Sequence, residues 1–118
     1  MSDEPFALPT ALLRYLPDSK LEVLSWDGVK LTVKITKEIG LEQGLLQFEN
    51  VSHVNLPPAL EIAAIRVGSS VDLPKSFFET YRTWDQLLDT NERVFFISGS
   101  WGGEFFVIAE TVAYSVIK

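Results

Sequence analysis

The chain has 118 residues, no cysteine and a net charge of −6. Its length matches one domain of about 100–200 residues, and the missing thiol excludes disulfides, cysteine–zinc sites and thiol nucleophiles. Eight acids and five bases fall in each of residues 1–59 and 60–118, so no basic cluster supplies the counterion release that drives nucleic-acid binding, nor an anchor for anionic membranes.

Met1-Ser2-Asp3-Glu4-Pro5 is acidic where a secretory signal is basic, and no apolar run reaches the roughly 18 residues of a membrane span. These features predict a cytoplasmic protein that binds neither nucleic acid nor membrane. Residues 1–9 read as an arm. Thr10 is placed to cap a short helix, Ala11 to Leu16, with Leu12, Leu13 and Leu16 on one face and Pro17 as its stop.

Leu21 to Trp26 and Val29 to Lys37 flank Asp27-Gly28. This pattern predicts a hairpin with a two-residue turn and positive φ at both turn positions. In the second strand Val29, Leu31, Val33 and Ile35 alternate with Lys30, Thr32, Lys34 and Thr36, giving one core face and one wet face. Leu45 to Leu56 reads as a strand pair or one bent strand, with Asn50 as a turn or bulge. Ala59 to Val67 fits a helix between Pro58 and Gly68 or a buried strand; its β-branched content favours the strand.

Ser76-Phe77-Phe78-Glu79 has the form of a capping box. Phe77, Tyr81, Trp84 and Leu88 follow at helical spacing, which predicts an amphipathic helix from about Phe77 to Thr90. Val94 to Ile97 and Phe105 to Ala109 are apolar at every position, as in strands covered on both faces, and the loop Gly99 to Gly103 joins them as a hairpin. Phe96 and Phe106 are therefore expected in the core. Glu110-Thr111 bends into a last strand, Val112 to Ile117.

Taken together, the elements predict an α+β fold dominated by antiparallel sheet. It has about seven or eight strands, closable into a sandwich or barrel, one main helix and a short N-terminal one.

Chemistry-bearing patterns are sparse. His53 is the one histidine, too few for a two-histidine metal site, and it has no matching nucleophile–base signature. Asp85, Asp89 and Glu92 at helical spacing fit a solvated acidic face better than a metal site. Gly99 to Gly103 lacks phosphate-cradle spacing. No cofactor is expected. The loop's distinctive residue is Trp101 among glycines, which either folds over the core or projects as a binding anchor.

The expected function is a non-catalytic protein-binding module, an acidic adaptor or immunity-type protein that takes a basic protein partner. Trp101, Glu104, Trp84, Tyr81 and Asp85 are its candidate binding residues. The alternatives are a small-ligand-binding domain or an enzyme with a pocket between helix and sheet, and a homo-oligomeric structural subunit.

Overall fold

The structure, a computed structural model, describes residues 8–38, 41–68 and 92–117. These form one helical turn, α1 (Thr10–Leu13), and eight strands: β1 (Ser19–Trp26), β2 (Leu31–Thr36), β3 (Gln43–Glu49), β4 (His53–Asn55), β5 (Ala59–Gly68), β6 (Arg93–Gly99), β7 (Glu104–Ala109) and β8 (Thr111–Val116). Every strand pair is antiparallel. Among the described residues the expected α+β class is thus corrected to antiparallel sheet with almost no helix. Runs of β-branched and aromatic residues dominate, and the one described helix is only four residues long. The helix expected at 77–90 and the arm residues 1–7 lie outside the described residues.

The strand order β4-β7-β6-β5-β1-β2-β3-β8 conceals a ring. β3 and β4 are two parts of one bent strand, and β7 runs into β8 through Glu110 alone. The first bent strand pairs with the second along both parts, β3 with β8 and β4 with β7. Each of the six resulting staves therefore has two neighbours, and the sheet closes as a small antiparallel barrel. A ring of this size is filled by side chains rather than left as a channel.

Bulges supply the curvature. Val23/Ser25 in β1 and Ile62/Ala64 in β5 each carry an extra residue. At the β7–β8 bend the Glu110 amide donates to the Glu49 carbonyl at 3.1 Å, beside the Glu49–Thr111 pair. Asn50, at φ 53°, turns the partner strand at the same level. Such extra residues bend a strand and raise its twist.

Inward side chains Leu21, Leu31, Val33, Ile35, Leu46, Phe48, Ile62, Phe95, Ile97 and Val107 form the main core, with Leu12 and Leu16 sealing one end. Phe48 meets Phe95 edge to face, centroids 5.2 Å apart. The opposite face of β6 and β7 carries a second buried cluster of Val94, Phe96, Phe106 and Ile108. Phe96 and Phe106 are thus buried as expected, but outside the barrel rather than at its centre.

Local expectations are refined in two places. The β1–β2 turn is longer than two residues: Trp26 pairs with Leu31, and only Gly28 has positive φ, at 94°. The Asp27 carboxylate accepts from the Val29 and Lys30 amides at 2.8 and 2.7 Å, a side-chain-closed turn that replaces the paired left-handed residues. Those bonds, Lys30 first and Val29 next, hold the Asp27 carboxyl below its ordinary pKa. Val29, left in this turn, is exposed. In α1, Pro9 takes the cap position, Thr10 is the first helical residue, and Leu13 faces outward. Tyr15 at φ 55° then turns the chain so that Leu16 enters the core.

Candidate functional site

The loop between β6 and β7 is tightly closed. Gly99 donates to the Gly103 carbonyl at 3.1 Å, and Gly102 donates to the Gly99 carbonyl at 3.2 Å. Gly102 and Gly103 have φ of 101° and 86°, a region that disfavours residues with a Cβ. Gly99 is needed for a different reason, since a Cβ there would lie 2.6 Å from the Gly102 carbonyl oxygen.

This closed loop is tied to β5 and to the turn just before β1. The Ser100 amide donates to the Glu61 carbonyl at 2.9 Å, and its hydroxyl donates to Asp18 Oδ1 at 3.3 Å. Asp18, at φ 65°, is held by its own amide on the Ile62 carbonyl. Trp101 is 89 % exposed. Its indole Nε1 donates to Glu61 Oε2 at 2.9 Å. The ring is therefore orientated by a carboxylate while its faces stay in water.

Glu104 begins β7 at the base of the loop, and its carboxylate is 3.3 Å from the Arg66 guanidinium. That guanidinium lies over the Phe96 ring, 4.3 Å from its centroid. Glu104 is thus engaged with Arg66, while Glu61 and Asp18 are the acids joined to the Trp101 loop. Sequence reasoning missed both, because their approach depends on the pairings of β5 with β1 and β6. Trp84, Tyr81 and Asp85 lie outside the described residues.

A second polar cluster seals the end closed by α1. Lys37 is 2 % exposed. Its Nζ donates to the carbonyls of Ala11, at 2.6 Å, and Arg14, and lies 3.3 Å from Glu42 Oε2. The same Nζ lies 5.4 Å from the Tyr114 ring centroid, and the Tyr114 hydroxyl donates to Glu42 Oε2 at 3.0 Å. The hydroxyl bond, then Lys37, holds the Glu42 carboxyl below its ordinary pKa. Burial, then the bond to Glu42 and its charge, pushes the Tyr114 phenol up to about 12. Gly44 makes room for the Tyr114 ring, which a Cβ there would strike. The signal for Lys37 was present in the β2 alternation, since it continues the inward series of Leu31, Val33 and Ile35.

At the β3–β4 bend the Ser52 hydroxyl donates to Glu92 Oε2 at 2.8 Å and lies 3.1 Å from His53 Nδ1. Here the serine bridges the other two, whereas a nucleophilic triad places the imidazole in the middle. The described residues contain no group of three carboxylates or histidines placed to hold a metal ion, and no helix among them is long and apolar enough to cross a membrane.

The fold and these clusters define a closed antiparallel barrel with a fixed, exposed tryptophan on one loop. No known protein family, curated protein or solved structure matches the chain.

Proposed function

We propose that the protein is a cytoplasmic, non-catalytic protein-binding module, an adaptor or immunity-type protein, and that the Trp101 loop docks a basic partner. The observation that carries this reading is the 89 % exposure of an indole held in place by Glu61. An orientated aromatic loses little freedom on binding, and buried tryptophan is a frequent source of interface energy. Glu61 and Asp18 beside the loop suit lysine or arginine side chains, which also stack favourably on an indole. The net charge of −6 adds attraction at longer range.

The test compares the intact protein with Trp101→Ala as immobilised baits for lysate proteins at low and moderate salt. The reading requires a basic protein retained by the first and weakened by about 2 kcal/mol or more on the second. Identical recovery on both baits overturns it.

A further inference from the structure

The register of β8 fixes which of its backbone groups meet β3. The Ile117 amide donates to the Gln43 carbonyl at 2.7 Å, and Ser115, Ala113 and Thr111 pair with Leu45, Gln47 and Glu49 in the same register. In an antiparallel ladder alternate residues bond to alternate sides. Thr111, Ala113, Ser115 and Ile117 therefore bond toward β3, and the N–H and C=O groups of Val112, Tyr114 and Val116 point the other way. No described strand pairs with that outer edge.

Within residues 111–117 the edge also carries no guard residue. Thr111 to Ile117 contains no charge and no proline, and Val116 and Ile117 are 42 % and 43 % exposed. Natural sheets block such edges with lysine, proline or a covering element, because an open edge templates another strand. Read in either direction, the outward series is the same: Val112, Tyr114, Val116. The side chains on the barrel's outer face here, Thr111, Ala113 and Ser115, are small.

We propose that the outer edge of β8 pairs antiparallel with the same edge of a second copy, on a two-fold axis through Tyr114. In this register Val112 meets the partner's Val116, and Tyr114 meets the partner's Tyr114, so every outward N–H and C=O of the three residues finds a partner. Ala113 then faces the partner's Ser115. A second copy fits because the edge is complementary to itself and uncharged, so two acidic molecules meet where neither carries charge. The Trp101 loop is not part of this contact.

The test is the mass of the full chain in solution, by light scattering and sedimentation over a range of concentrations. A dimer is expected, with the amides of Val112, Tyr114 and Val116 protected from hydrogen exchange. Ala113→Lys with Ser115→Lys sets like charges opposite each other at two points and raises the dissociation constant by about tenfold. Ala113→Lys with Ser115→Glu sets opposite charges there and restores association. Both pairs alter exposed positions, and circular dichroism checks that each variant is folded. A wild-type monomer at every concentration overturns the proposal, including one whose three amides are protected, because the chain then covers its own edge. A dimer indifferent to the lysine pair also overturns it.

Discussion

Trp101 stands 89 % exposed on the β6–β7 loop, while Lys37 is 2 % exposed just beyond β2. Each residue type normally occupies the other's environment. The two departures have different physical causes. Lys37 replaces its water with two carbonyls, a carboxylate and an aromatic face, all supplied by the chain. The indole of Trp101 is satisfied only at Nε1, and its apolar faces gain nothing from the fold. The buried lysine is thus held by the fold on every side, whereas the exposed tryptophan is held at one atom only, and the proposed docking rests on that difference.

Substitutions can break this contrast. Lys37→Met should have the largest effect, since it leaves the Ala11 and Arg14 carbonyls and Glu42 without their cation. A loss of about 3 kcal/mol in urea melts is expected for such a buried group, and a loss below about 1 kcal/mol, the scale of surface changes, would place Lys37 among ordinary exposed lysines. Gly44→Ala acts on the same cluster from behind. Its Cβ must displace the Tyr114 ring and with it the Glu42 bond, at a cost of about 1–3 kcal/mol for overpacking.

The pH dependence of stability sharpens the picture without altering a core volume. The Tyr114 phenol is raised from 10.0 to about 12. Its contribution is complete below pH 10 and is lost as pH climbs toward 12. Glu42 is lowered from 4.5, so its contribution is present above that pH and fades as acid protonates it in the fold. Tyr114→Phe should flatten the alkaline part of the stability curve measured from pH 9 to 12; an unchanged alkaline slope would show that the hydroxyl bond contributes nothing. Trp101→Ala should have the smallest effect on stability, within about 0.5 kcal/mol as for exposed sites. A thermal melt showing a loss of several kcal/mol would return Trp101 to the role of a structural cap.

Sequence periodicity was a good guide wherever one strand and its neighbour in sequence sufficed. The β1–β2 and β6–β7 hairpins, the strand at Ala59–Gly68 and the bend at Asn50 all rest on local alternation and turn chemistry. Phe96 was legible as buried, but its cluster was not, because the alternation says that a residue has a face and not what lies against it. The fold class differs because the described residues are almost all strand, and closure of the ring depends on β3 meeting β8, a register that neither strand announces alone. Trp101 was singled out by its glycine neighbours. Its acidic companions Glu61 and Asp18 were hidden because they lie 40 and 82 or more positions away along the partners of its loop.

The closing stave has a consequence for how the chain folds during synthesis. β1 finds β2 early, but its other neighbour, β5, emerges more than thirty residues later, and β3 must wait for β8. Until β8 leaves the ribosome, the edge of β3 turned away from β2 lacks the strand that it pairs with in the fold. Pairings this distant in sequence are slow to form and leave unfinished sheet exposed to other chains. A nascent chain halted before Thr111 should therefore need a chaperone more than one from which β8 has emerged, and the emergence of β8 should be the step that ends that need.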